Sequence, residues 1–188
     1  MNKWVIALVM FVGCAVIAHW WTVRAIPGFV MSRAMDTMEE RGLPLHGFAL
    51  APLATPQSQT VVRPSPDLSY SICRFHIPDD YGGLFVSAAP FDGYGSISFF
   101  DARTNNFATV RTRSDAPTPF TIVGPRHVDA VDLSSDVPDR TGLVAPTRQG
   151  LVLIRRLTAT AAARDRVEAI AKDDVCQLLP YNADLLPS

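Results

Sequence analysis

The chain has 188 residues, of which 48% are hydrophobic, and its formal net charge is −1. After Arg24 it carries fifteen Lys and Arg against eighteen Asp and Glu, which excludes the basic footprint of a nucleic-acid-binding domain. The same part is long enough for one domain with a substantial core and too short for two. We therefore expect one domain with no nucleic-acid partner.

An uncharged run from Trp4 to Val23 lies between Lys3 and Arg24. As an α-helix its twenty residues would span ~30 Å, the thickness of the hydrocarbon core of a bilayer. Tryptophans near both ends of the run fit the two membrane interfaces. The run predicts a single-pass membrane anchor of the signal-anchor type.

Two other interpretations of this run are open. A cleavable signal peptide would be cut near residues 16–18, and a lipoprotein signal would end at Cys14. Both leave apolar residues after the processing site, whereas signal peptides usually have an apolar stretch of only about 7–15 residues. The length of the run favours the uncleaved anchor.

The orientation of the anchor rests on two opposing observations. Lys3 stands on one side, and Arg24, Arg33 and Arg41 on the other, so the positive-inside rule opposes a cytoplasmic N-terminus. A short N-terminal tail seldom crosses a membrane, however, and the cysteines and β-rich body suit an oxidising compartment. We expect the N-terminus inside and the body outside.

The segment that follows the anchor has helical periodicity. From Pro27 to Arg41, apolar residues recur at three- and four-residue spacing, which predicts a membrane-proximal amphipathic helix. A Pro-rich stretch then predicts an extended connector. The expected division is anchor 1–24, amphipathic helix and connector 25–59, β-rich domain 60–179 and tail 180–188.

From residue 60 the period of alternation changes to two, which predicts antiparallel strands. The predicted strands are Leu68–Phe75, Leu84–Ala88, Tyr94–Phe99, Phe107–Arg111, Phe120–Val123, Val128–Leu133, Leu143–Ala145 and Leu151–Leu157. One C-terminal helix is predicted over Ala161–Lys172. The fold class is all-β or β-rich α+β, an antiparallel jelly-roll-like sandwich or barrel with three helices.

Five pieces of this β-rich segment, taken in order, resemble one family. They are Arg63–Ser71, Tyr94–Ser98, Asp101–Phe107, Ile122–Pro125 and Gly150–Arg156. On these pieces the chain resembles the bacterial domain-of-unknown-function family 1254. The resemblance implies a jelly-roll-like domain, often encoded with a companion β domain of family 1214. That companion would be a protein partner here, because this chain has no room for it.

Combined with the anchor, the resemblance places the protein in the bacterial inner membrane with a periplasmic body. The polar residues that recur in the family-like pieces form a candidate cluster: Arg63, Asp67, Tyr70, Asp101, Asn105 and Arg156. Arg155 or Arg156 is expected to enter the interior and to need a carboxylate such as Asp101 or Asp67. A buried network that fixes strand ends and a polar ligand pocket are both open interpretations.

No pattern in the sequence specifies a reaction. The serines lack the strand–turn–helix setting of a nucleophile elbow, and the four histidines lie in separate segments. The adjacent acids Asp79–Asp80 and Asp173–Asp174 are predicted to be solvated turns, and no metal site or cofactor is expected. The catalytic residues, if any exist, are unidentified.

Cys73 and Cys176 are the only cysteines outside the anchor. In an oxidising compartment they predict a disulfide from a strand to the C-terminal helix, with two buried thiols as the alternative.

The role expected is a non-enzymatic envelope module that binds a partner β domain or a small ligand. The alternatives are a membrane-tethered hydrolase using Asp67, Tyr70 and Asp101, and a purely structural envelope protein.

Overall fold

The computed structural model describes residues 2–52, 65–125 and 141–180. Its elements are α1 (Lys3–Glu40), β1 (Phe48–Leu50), β2 (Leu68–His76), β3 (Tyr81–Ala88), β4 (Gly95–Asp101), β5 (Asn106–Arg111), β6 (Thr118–Val123), β7 (Thr141–Val144), β8 (Gln149–Leu157), α2 (Ala161–Ile170) and β9 (Val175–Pro180). A 3-10 turn, Ala171–Asp173, separates α2 from β9. The strand predicted at Val128–Leu133 lies outside the described residues.

Within the described residues the strands form two sheets. One has the order β1-β2-β8-β4-β5 and is antiparallel throughout. The other has the order β7-β6-β3-β9, and its β6–β7 pair is parallel. The prediction of antiparallel strands alone was therefore wrong for one pair. Alternation of residues reports which faces are buried and contains no information about the direction of the neighbouring strand.

The two sheets pack face to face around one apolar core. Strand alternation places Phe75, Phe99 and Ile154 on the inner face of the five-stranded sheet, opposite Val86 and Phe120 of the other. The rings of Phe99 and Phe120 meet edge to face with centroids 5.1 Å apart. Each fully buried side chain of this size contributes about 1.5–3 kcal/mol. The architecture is a two-layer sandwich, and neither sheet closes into a barrel among the described residues.

A disulfide joins the two sheets through this core. Cys73 on β2 and Cys176 on β9 are bonded, with Cα atoms 6.5 Å apart and a sequence separation of 103 residues. Both cysteines are buried. The predicted helical position of Cys176 was wrong, because β9 is a short edge strand whose burial does not alternate regularly.

The anchor and the amphipathic helix were predicted as separate segments, but α1 is one continuous helix. Pro27 lies inside it and has no N–H to bond the carbonyl of Val23. By length and composition the apolar part of α1 can cross a membrane, and no described residue outside the helix covers that part. β1 also lies in the predicted connector, where three residues are too few to show alternation.

Candidate functional site

The described members of the predicted polar cluster lie at two opposite ends of the five-stranded sheet. Arg156 stands opposite Gly95 on β4, and Asp101 stands opposite Gly150 on β8. Six residues of extended strand separate the two positions, a distance of ~20 Å. Asn105 lies with Asp101. The cluster is therefore not a single site. Its remaining member Arg63 lies outside the described residues.

Asp67 and Tyr70 lie at the Arg156 end of the sheet, where each accepts a hydrogen bond from a backbone N–H. The Tyr70 hydroxyl accepts a hydrogen bond from the Ser65 N–H at 3.0 Å. The Asp67 carbonyl accepts one from the Thr158 N–H at 2.7 Å. A hydrolase that uses Asp67, Tyr70 and Asp101 together is not supported by this arrangement, because Asp101 lies at the other end.

Arg156 pairs with Asp174, not with Asp101 or Asp67 as predicted. Its Nη1 and Nη2 donate to the two Asp174 carboxylate oxygens at 2.8 and 2.6 Å, the two-bond fork that suits a guanidinium. The Ala89 carbonyl accepts a third bond from Arg156, and the Ala89 N–H donates to Asp174. The two side chains are 1% and 0% exposed. Asp174 is thus a buried ion-pair partner, and its prediction as a solvated turn was wrong.

Asp101 organises the turn between β4 and β5. Its carboxylate accepts hydrogen bonds from the Arg103 and Asn105 N–H groups at 2.8 and 2.9 Å and from the Asn105 side-chain amide at 2.9 Å. Thr104 between them has a φ of 65°, in the left-handed region. Burial raises the pKa of Asp101, but these three donors outweigh it and hold the pKa below its ordinary value of 3.8. The role that follows is a turn cap.

Replacing Asp101 with asparagine should destabilise the fold by ~1–2 kcal/mol at neutral pH, because an amide nitrogen would face the Asn105 donor. The folded pKa is lowered, so the carboxylate stabilises the fold above the ordinary pKa and loses this effect as pH falls through the lowered pKa. The difference in melting temperature between wild type and Asp101→Asn should therefore shrink below about pH 4. A difference that is constant between neutral and acidic pH would contradict this role.

Arg74, on the outer face of β2, attaches helix α1 to the sandwich. It donates through Nη1 to the Met35 carbonyl at 3.3 Å and to the Glu39 carboxylate at 3.0 Å. Its Nε and Nη2 donate to the Leu43 carbonyl at 3.2 and 2.8 Å. A cation that bonds the carbonyls at the end of a helix also interacts favourably with the helix dipole. Arg74 thus holds the end of α1 to the five-stranded sheet.

A cleft of about 260 Å³ lies beside this contact, between α1 and the end of the sheet. Met31 and Met35 of α1 contribute apolar side chains to its lining. Most of the other side chains that line it are polar or charged, among them Ser32, Asp36, Glu39, Arg74, His76 and Gln149. A concave surface with several convergent polar groups can orient a small polar ligand. We take this cleft as the candidate binding site.

Sequence reasoning identified neither Arg74 nor the cleft. The available signal was a charged residue at position 74 between two residues of a strand, Cys73 and Phe75, that are fully buried. A cation on the outer face of a strand is ordinary in isolation. Its function depends on α1, which approaches from 31–39 residues earlier in the chain.

Arg74→Ala should release the end of α1 and lower stability by ~2 kcal/mol, because several charge-assisted bonds are lost. Trypsin should then cut faster after Arg33 and Arg41. Glu39→Gln is the matched control, since Glu39 is 74% exposed and an exposed ion pair contributes under about 1 kcal/mol. Equal digestion rates for wild type and Arg74→Ala would show that Arg74 does not hold the helix.

The fold and site define a class of protein: a two-layer β sandwich attached through a buried arginine to a long N-terminal apolar helix. Residues 47–177 match the family described as Protein of unknown function (DUF1254). The chain belongs to this family, and the resemblance predicted from the sequence is confirmed. No curated protein matches the chain.

Two solved structures are similar to this chain. The VPA0106 protein from Vibrio parahaemolyticus gives a TM-score of 0.56 at 13% identity, covering 86% of this chain and 37% of that one. An uncharacterized protein from Burkholderia cenocepacia gives a TM-score of 0.44 at 10% identity, covering 76% of this chain and 36% of that one. At this identity the first likeness shows the fold alone. The chain spans just over a third of the length of either protein.

Proposed function

We propose that this chain is a non-enzymatic module of the bacterial envelope. In this proposal α1 anchors it in the inner membrane, and the periplasmic sandwich binds a small ligand or a partner β domain beside the bilayer. The observation that carries the proposal is the continuity of α1. The apolar segment and the segment held by Arg74 belong to one helix, so the anchor fixes the position of the sandwich.

The helix geometry puts the cleft close to the membrane in this proposal. From Val23, the last residue of the apolar run, to Met31 in the cleft there are eight residues, or ~12 Å of helix. Arg24 lies over the Trp20 ring, 4.3 Å from its centroid. A tryptophan with a stacked cation suits a membrane interface. A ligand in the cleft would thus be held at the bilayer surface.

The disulfide supports the periplasmic side of the proposal. Disulfides persist in oxidising compartments and are rare in the cytosol. The Cys73–Cys176 bond crosses between the sheets and is buried, so it belongs to the core of the fold. This agrees with a body on the outer side of the inner membrane.

A reporter enzyme that is active only outside the cytoplasm, fused after Ser188, should be active in this topology. The protein should resist carbonate extraction and keep an N-terminal tag. A Val12→Arg and Val16→Arg double variant is the control, because a central arginine costs about 2.5–3.5 kcal/mol on insertion. A cytoplasmic body would overturn the placement, and loss of the tag would show a cleaved signal peptide.

Binding at the cleft is tested separately with a photo-crosslinking amino acid at Ser32, which lines it. In membranes this position should capture a discrete ligand or protein that mass spectrometry identifies. The same probe at Glu168, an exposed position on α2, should not capture it. The same products from both positions would overturn the assignment of the cleft as the binding site.

A further inference from the structure

A row of polar side chains crosses the outer face of the five-stranded sheet. Arg155 on β8 stands opposite Tyr70 on β2 and opposite Ser96 on β4, and Ser96 stands opposite Arg111 on β5. Directly opposed residues on one face have Cβ atoms about 4.5–5.5 Å apart. Arg156 points into the core, so alternation places Arg155 on the outer face. Two arginines thus flank Ser96 in one continuous row.

Arg155 is half-buried, whereas Arg111 is exposed and its guanidinium lies over the Tyr94 ring, 5.9 Å from the centroid. Both differ in their pairing from three other arginines in or next to this sheet. Arg74, Arg148 and Arg156 each form an ion pair with a carboxylate. Among residues 2–52, 65–125 and 141–180, no carboxylate forms an ion pair with Arg155 or Arg111. Burying a cation is costly unless it is paired. The row therefore has positive charge available in a body that is acidic overall.

Two buried serine hydroxyl groups lie beside Arg155, and one of them, Ser98 Oγ, also accepts a hydrogen bond from Thr109 Oγ1 at 3.0 Å. Ser96 is 3% exposed, and its Oγ has no hydrogen-bond partner. The Arg155 Nε is buried and also has none, while its Nη2 donates to the fully buried Ser98 Oγ at 2.8 Å. A buried polar atom without a partner requires an explanation, and a bound ion is one. The unpartnered Ser96 hydroxyl thus lies beside a guanidinium that has an unpartnered N–H of its own and no ion pair among the described residues.

We propose that Arg155, Arg111 and Ser96 bind the anionic group, carboxylate or phosphate, of an organic ligand. The planar guanidinium matches either anion with two parallel hydrogen bonds. The next row along the same face contains Ile72 opposite Leu153, both half-buried, which offers an apolar surface to the rest of the ligand. The proposal depends on the sheet register and on neither the membrane anchor nor the cleft.

The test is isothermal titration of the full chain in a non-ionic detergent with inorganic phosphate, acetate and butyl phosphate. Wild type should bind butyl phosphate more tightly than inorganic phosphate, and Arg155→Gln should weaken binding at least about tenfold. Arg103→Gln, which removes the same charge in the β4–β5 turn, should bind like wild type. Equal binding by the Arg155 and Arg103 variants, or no binding by wild type, would overturn the proposal.

Two further measurements separate an effect on binding from an effect on folding. They also separate the contribution of the anionic group from that of the apolar row, Ile72 and Leu153. Ser96→Ala removes an unpartnered buried hydroxyl, so its melting temperature should stay the same or rise while its affinity for butyl phosphate falls. Acetate binding that Arg155→Gln abolishes would support a carboxylate as the natural group, and phosphate binding alone would support a phosphate. Equal affinity for inorganic and butyl phosphate would overturn the apolar part of the proposal.

Discussion

Replacing Arg156 with alanine should lower the free energy of unfolding by about 3–5 kcal/mol, because Asp174 would remain buried as an unpaired charge. The two side chains are almost completely inaccessible, and three of the bonds around them join Arg156 of β8, Asp174 just before β9 and Ala89 just after β3. A loss of this size is a large fraction of the 5–15 kcal/mol that stabilises most domains. Urea unfolding of the full chain in detergent, followed by far-UV circular dichroism, measures this loss of free energy.

Two variants control this experiment. Arg156→Met combined with Asp174→Leu removes both charges, so it should be far less destabilising than either single change, and similar replacements have even been stabilising. Arg155→Gln changes the neighbouring arginine on the opposite face and should shift the midpoint little. If Arg156→Ala leaves the urea midpoint unchanged, the ion pair is not structural, and a ligand pocket at this end of the sheet becomes the better interpretation.

Removing the disulfide with Cys73→Ala and Cys176→Ala should cost about 2–5 kcal/mol. The bond closes a loop of 103 residues, and the entropy of a denatured chain falls most when the closed loop is long. Reductant should lower the melting temperature of wild type and leave that of the double variant unchanged. Non-reducing digestion of wild type should also release a peptide pair that contains both cysteines.

Cys14 provides the matched control, because it is free and exposed on α1. Cys14→Ser should keep the melting temperature and the response to reductant of wild type. Full alkylation of Cys73 and Cys176 without reductant would contradict the disulfide and would weaken the periplasmic placement, which depends in part on it.

The polar cluster shows which contacts could be predicted from the sequence and which could not. Asp101 and Asn105 lie together because they are four residues apart in one turn, as local turn chemistry predicts. The sequence predicted that either Arg155 or Arg156 enters the interior and needs a carboxylate, and Arg156 is the one that does. The identity of the carboxylate was wrong, since Asp174 reaches Arg156 only when β9 joins the facing sheet.

The sequence by itself determined the local features of this protein. Period-two alternation located β2, β4, β5 and β8 to within two residues, because alternation is a direct result of strand geometry. The uncharged run of twenty residues likewise located the apolar half of α1. The five family-like pieces led to the right family.

Only the tertiary structure decided which distant residues meet. The parallel β6–β7 pair, the strand position of Cys176, the partner of Arg156 and the contact of Arg74 with α1 all join segments far apart in the chain. A residue's preference for a helix, strand or turn depends on its near neighbours, whereas a buried charge depends on the one group that the fold brings to it. The cleft and the row of polar side chains on the outer face likewise depend on which distant segments the fold brings together.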